Sequence, residues 1–280
     1  MLSQLSYIPG PAASIAKHCQ SNRCSITLTD VTASLTDVLE SLREKGLRRG
    51  VGPMPGQAPS APALPTGQAA LDAALGTDGW PRGALALLDA PRGAGATTLA
   101  LGSLAACQER GGIVAWLDAD GVFDPSTAAR LGVRLEWLLL VRPADTAEAV
   151  ELAAWLARSR LIDAFVLDLG SSSAPRALER LPALLARAAG VGLVLAPAAR
   201  EAVGRVASVR VALERRSWLA VGRDLVGQLV AATVTRHRWA LAGGHADLDL
   251  WFAEGRRIDP LLASLAAPVA ERPALRVLSA

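Results

Sequence analysis

Residues 89–98 of the 280-residue chain read DAPRGAGATT, set between the apolar run GALALL and the helix-like LALGSLAACQER. Strand, Gly-rich turn and helix in that order make an anion site, because backbone N–H groups of the turn and of the first helical residues converge on one point. The pattern for a nucleotide phosphate loop is G-x-x-x-x-G-K-[ST], with a lysine reaching the β- and γ-phosphates and a hydroxyl on Mg²⁺. Gly95 and Thr97 fit it, but Ala90 stands where the first glycine belongs and Ala96 where the lysine belongs. Without the lysine a charge-assisted contact to the γ-phosphate is missing. ATP turnover is therefore expected to be very weak or absent. The amides from Gly93 through Thr97 to Thr98 keep a weak capacity for ATP with Mg²⁺, and Arg92 is the cation within the loop that could replace the lysine.

Acidic residues at two further strand ends belong to the same chemistry. Asp168 closes the apolar run AFVLD, where a carboxylate would hold Mg²⁺ through water, although an aspartate that merely ends a strand is common. Asp118 and Asp120 in WLDADGVFDP fall at a second strand end, where a carboxylate could polarise an attacking water.

The elements that must position these groups follow from hydrophobic patterning. From Leu64 onward, short apolar strands alternate with amphipathic helices: GALALLDA, IVAWLDAD, WLLLVRP, IDAFVLDLG and VGLVLAPA are strands. Between them lie the helices TTLALGSLAACQERG, PSTAARLG, DTAEAVELAAWLARSR and APRALERLPALLARAAG, and after them SVRVALERRSW, LVAATVTRHRWA and ADLDLWFAEG read as β-rich. That alternation predicts an α/β fold with a mostly parallel central sheet covered by helices, and ligands at the carboxyl ends of its strands.

Upstream, residues 1–50 read as a patternless arm followed by an amphipathic helix. Leu35, Val38, Leu39 and Leu42 share one face of that helix, between Ser34 and Gly46. Residues 51–65 carry five prolines and form an extended linker. The core is placed at 66–257. Residues 258–280 are an apolar tail broken by prolines, with Leu261, Leu262 and Leu265 as its partner-binding residues.

Composition excludes several classes. Hydrophobic residues make up 51% and charged ones 20%, yet no apolar run approaches a bilayer span, and the N-terminus lacks the pattern of a secretory signal, so the expected compartment is the cytoplasm. Net charge is +3, carried almost wholly by arginine, which falls short of a nucleic-acid footprint. Cys19, Cys24 and Cys107 make no disulfide framework, and His18 beside Cys19 and Cys24 lacks a fourth ligand, so no metal site is expected. Trp80 and Trp239 are assigned to the core rather than to base stacking, and Arg215 and Arg216 to solvent.

Taken in order, LPTGQAALDAALGTDGWPRGALALLDAPRGAGATTLAL, WLDADGVFDPSTAARLGV, LLLVRP, IDAFVLDLGSSS, ASVRVALERR and VTRHRWA resemble the RecA recombinase core over residues 64 to about 255. The resemblance implies a RecA-like P-loop-type fold. It places Asp120 at the catalytic acid and Asp168 at the acidic strand end, both vestigial here, and Arg236 and Arg238 at basic residues that reach a neighbouring subunit's nucleotide. The departures matter as much. The segments that carry two DNA-binding loops in that family are short, and no glutamine follows the fifth strand, which runs into LAPAAR.

LPTGQAALDAAL joined to GWPRGAL is similar to the ImuA family, RecA-like members of a bacterial mutagenesis cassette. That similarity implies a non-catalytic role in the SOS response and translesion DNA synthesis, at the nucleoid after DNA damage. The implied partners are RecA and the Y-family-like polymerase homologue ImuB, alongside an error-prone polymerase, with only weak or indirect DNA contact. RecA protomers assemble by lending an N-terminal element, a part the Leu35 face would fit. The competing expectations are a residual DNA-dependent ATPase or recombinase, and a cell-division inhibitor of the SulA kind.

Overall fold

In a computed structural model of the chain, the described residues are 62–221 and 223–252, with the backbone of 267–269. The arm, the amphipathic helix with Leu35, Val38, Leu39 and Leu42, the linker up to residue 61, and Leu261, Leu262 and Leu265 of the tail lie outside them.

Five short apolar runs form the parallel half of the sheet: β1 (Leu85–Asp89), β2 (Val114–Asp118), β3 (Leu138–Val141), β4 (Ala164–Asp168) and β5 (Val191–Leu195). Their residues, except along the β3 edge and at Asp89, are buried, as a sheet covered on both faces requires. Three long antiparallel strands follow, β6 (Val209–Val221), β7 (Asp224–His237) and β8 (His245–Trp251). The spatial order is β3-β2-β4-β5-β1-β6-β7-β8. A ninth strand, β9 (Ala267–Val269), pairs antiparallel with Trp218–Ala220 of β6, so part of the tail joins the sheet in cis.

Helices cover the two faces. On one face α2 (Ala96–Glu109) buries Leu99, Ala100 and Leu104 against Leu88, Val211 and Val230. On the other, α4 (Thr146–Ser159), α5 (Leu181–Ala188) and α6 (Arg200–Val206) bury Leu152, Leu156, Leu185 and Val203 against Leu85, Leu87 and Phe165. Among the described residues two short helices complete the set, α1 (Ala69–Leu75) and α3 (Pro125–Arg130). The side chains of Asp124 and Asp145 accept N–H groups in the first turns of α3 and α4, which fixes where those helices begin. The single helix expected over 174–190 is instead a 3₁₀ turn at Arg176–Arg180 followed by α5. Pro182 lies in the first turn of α5, where its missing N–H has no helical partner to lose.

The core begins slightly before residue 66. Leu64 pairs with Trp80 in an isolated bridge, and the Trp80 indole N–H donates to Ser103 Oγ at 3.0 Å, which also contacts the Thr66 carbonyl at 2.9 Å. Trp80 is fully buried, so the indole works as core and strap together.

Pairing with β1 uses only Val209–Ala212 of β6. The rest of the β6–β7 hairpin, toward its turn at Val221 and Asp224, therefore runs on beyond the carboxyl end of β1. It stands over the loop that follows β1.

Candidate functional site

The loop starts at Asp89, which Arg210 on β6 grips through Nε at 3.0 Å and a second guanidinium nitrogen, while Arg200 at the head of α6 stands 3.6 Å away. A turn closed by Ala94 N–H to the Pro91 carbonyl at 3.1 Å follows. Gly93 (φ 80°) and Gly95 (φ 87°) take left-handed backbone, and Gly95 precedes the first residue of α2. Ala90 and Ala94 point into the core. No acidic residue and no side-chain cap occupies the first turn of α2, so its leading N–H groups face the cleft.

That cleft has a volume of about 390 Å³. It is lined by the loop, by Thr97 and Thr98, and by Asp168, Leu195, Pro197, Gln228 and Phe252. Among the described residues the one cation in its lining is Arg92, on the exposed side of the turn. Gly93, Gly95, Thr97, Thr98 and Asp168 are thus brought together around one opening.

Asp168 is 8% exposed and accepts the Gly170 N–H at 3.1 Å. Burial pushes its carboxyl up to about 6, with the charges of Asp118 and Asp120 adding to the rise, against the pull of the Gly170 hydrogen bond and Arg92. A carboxyl of this kind changes charge near neutrality.

The other two acids are held elsewhere. Asp118 is buried and accepts the N–H groups of Val122 at 3.0 Å and Phe123 at 2.9 Å, with Arg142 at 3.8 Å, so it shapes the loop after β2. Asp120 accepts from the Ser171 N–H at 3.1 Å and from the Ser171 hydroxyl at 3.3 Å, and it fills the space beside Gly170. It ties the loop after β2 to the loop after β4 and does not line the cleft.

Arg236 and Arg238 also lie outside the cleft. Arg236 pairs with Arg210 in the β6–β7 ladder and donates to the Gly204 and Arg205 carbonyls at the end of α6, both at 2.9 Å. Arg238 lies over the Trp239 ring at 5.7 Å. Arg216 meets solvent and Glu214, as expected, but Arg215 does not turn to water. A bulge between Arg215 and Ser217 turns it inward, where its guanidinium donates to the Gly93 carbonyl at 3.3 Å and stacks on Trp218 at 4.2 Å. Cys107 is a buried core thiol, pushed up to about 12 by burial.

Two cleft residues escape the motif reading, Gln228 and Phe252, as does Arg215, which holds the Gly93 carbonyl from outside the lining. A trace of the first was present. Gln228, Val230, Ala232 and Val234 share the inward face of β7, and a lone carboxamide on such a face calls for a buried partner.

Comparison with known proteins fits this geometry. Residues 54–180 match the RecA N-terminal domain. The chain is 33% identical to a protein RecA from Thermus thermophilus, with 78% of this chain and 74% of that protein covered. It is 42% identical to a protein RecA from Xylella fastidiosa over 45% of this chain and 38% of the relative. Among solved structures the RadB recombinase superposes with a TM-score of 0.53 at 20% identity, covering 66% of this chain and 95% of that one, a likeness of fold. Among the described residues no helix is long and apolar enough to cross a membrane.

Proposed function

The chain belongs to the RecA family, and on that premise we propose that it is an accessory protein of SOS-induced translesion synthesis and mutagenesis, an ImuA-type adaptor that has lost ATP turnover. It joins RecA to a Y-family-like polymerase homologue of the ImuB kind and its error-prone polymerase, on the nucleoid in the cytoplasm, with weak or indirect contact to DNA. The observation that carries this reading is Ala96. The residue at the head of α2 offers a methyl group where phosphoryl transfer needs a cation, and among the described residues the cleft lining holds Arg92 as its one cation, on its exposed side. Asp120, which the resemblance places at the catalytic acid, is engaged with Ser171.

Two further features support an adaptor. The links from β4 to β5 and from β5 to β6 are short and filled by α5 and α6, which leaves little chain for gripping single-stranded DNA. The fold of the family is retained.

The test is calorimetric titration of the full chain into RecA, with and without ATP. Tight binding that ignores ATP is the expected result. No binding to RecA, together with ATP hydrolysis by this chain, would sink the adaptor.

Asp168 gives a second reading its footing. A buried carboxyl pushed up to about 6, facing Thr97 and Thr98 across an uncapped helix start, suits residual nucleotide chemistry. ATP hydrolysis stimulated by single-stranded DNA, and lost in Asp168→Asn, would select it.

A further inference from the structure

Gln228 is 1% exposed and reaches the loop from β7. A buried carboxamide must satisfy both of its ends. The orientation that does so here has its nitrogen donating to the Gly93 carbonyl at 3.0 Å and its oxygen accepting the Gly95 N–H at 3.1 Å. The Gly93 carbonyl also takes the Arg215 guanidinium, so both strands of the hairpin hold the same loop. Packing closes the arrangement. A β-carbon on Gly95 would stand 2.4 Å from Leu250 Cδ1 and 2.6 Å from the Gln228 carboxamide.

We propose that Gln228 is an internal latch: its carboxamide occupies the Gly95 N–H that an incoming phosphate would need, so the β6–β7 hairpin and a phosphate-bearing ligand exclude one another at this loop. An N–H that already donates to a buried oxygen is not free for an anion, and withdrawing Gln228 without a replacement leaves a polar group unmatched.

The hairpin that carries the latch also borders the cleft. Trp218 on β6 meets Phe252 edge to face at 5.8 Å, and the Phe252 N–H donates to the Val226 carbonyl at 2.9 Å. Phe252, 37% exposed, lines the cleft, while Leu225, 55% exposed, stands near the hairpin turn. By linkage, a partner that binds the hairpin in its latched position weakens phosphate binding, and phosphate weakens that partner by the same factor. The latch is independent of the adaptor reading, because it concerns the loop and its own hairpin and stands whether or not RecA is bound.

The experiment uses the full chain with inorganic pyrophosphate as probe, read by calorimetry and by amide exchange of residues 90–98. In Gln228→Ala, exchange at Gly95 should rise and pyrophosphate affinity increase about tenfold, the equivalent of one hydrogen bond released for the ligand. Gln228→Glu keeps the length and the acceptor but adds a negative charge, so it should bind pyrophosphate no better than the parent chain. Gln228→Met retains the volume without the carboxamide, and separates loss of the contact from loss of packing: exchange at Gly95 must rise in it too. The latch is overturned if Ala and Met leave both Gly95 exchange and pyrophosphate affinity where they were, or if Glu gains as much as Ala.

Discussion

Two aspartates end neighbouring parts of the same sheet and border the same loop, yet they live in opposite electrostatic surroundings. Asp89 closes β1 and meets two guanidinium groups, from Arg210 and Arg200. Asp168 closes β4, has one backbone N–H, and faces the charges of Asp118 and Asp120 with only the exposed Arg92 to offset them. Strand-end aspartates look alike in sequence. Their difference arises in what the neighbouring strands deliver: β6 brings Arg210 into register with Leu87, two residues before Asp89, whereas β2 brings another acid, Asp118, directly opposite Asp168. One carboxylate is an anchor for the start of the loop, and the other is held in the cleft in a state that titrates.

The largest effect should come from breaking the anchor. Asp89→Ala leaves Arg210, whose side chain is a third exposed, without its counter-charge, and the expected loss is about 3–4 kcal/mol, at the lower end for a broken, mostly buried pair. Urea unfolding at neutral pH reads it. A loss below ~1 kcal/mol would mean that Asp89 and Asp168 do not differ in the way argued.

Removing the charge from Asp168 should act in the opposite direction and only above mildly acidic pH. Its folded carboxyl titrates near 6, above the ordinary 3.8, so the folded state holds this proton more tightly than the unfolded chain does. The stability this confers is fully present below about pH 4 and is lost as pH rises through 6. About two units correspond to roughly 3 kcal/mol. Asp168→Asn should therefore raise the melting temperature at pH 8 and leave it nearly unchanged at pH 4. An equal gain at both pH values would show that the carboxyl is not raised by its surroundings.

Much of this was legible in the sequence, and the reasons are local. The parallel half of the sheet follows from apolar runs alternating with amphipathic helices, and the loop from two glycines before a helix, both patterns contained within a few residues. Asp168 could be picked out because it ends such a run. The placement of Arg215 could not, because a bulge with Ser217 decides which face it takes, and bulges leave no periodic trace. Gln228 and Phe252 reach the cleft only because β6 and β7 continue past the end of β1, and strand overhang is a property of pairing between distant segments. Arg236 and Arg238, which the resemblance assigns to a neighbouring subunit's nucleotide, lie outside the cleft of their own chain, with Arg236 set beside Arg210 by the register.

The finest test of the contrast leaves both aspartates in place and alters only what Asp168 faces. Arg92 lies on the exposed side of the loop and lowers the Asp168 carboxyl, while Asp120 raises it through its charge. In Arg92→Ala the titration near 6 should move upward, and in Asp120→Asn downward, each only slightly because solvent screens both groups. Direct readout is the Asp168 carboxyl carbon followed by NMR across pH 4–8. Asp120 also accepts from Ser171, so its variant loosens the link between the loops after β2 and β4, and movement of backbone signals at Ser171 separates that loss from the charge effect. If both substitutions shift Asp168 the same way, through-space charge is not what distinguishes it from Asp89, and burial alone must account for the raised carboxyl.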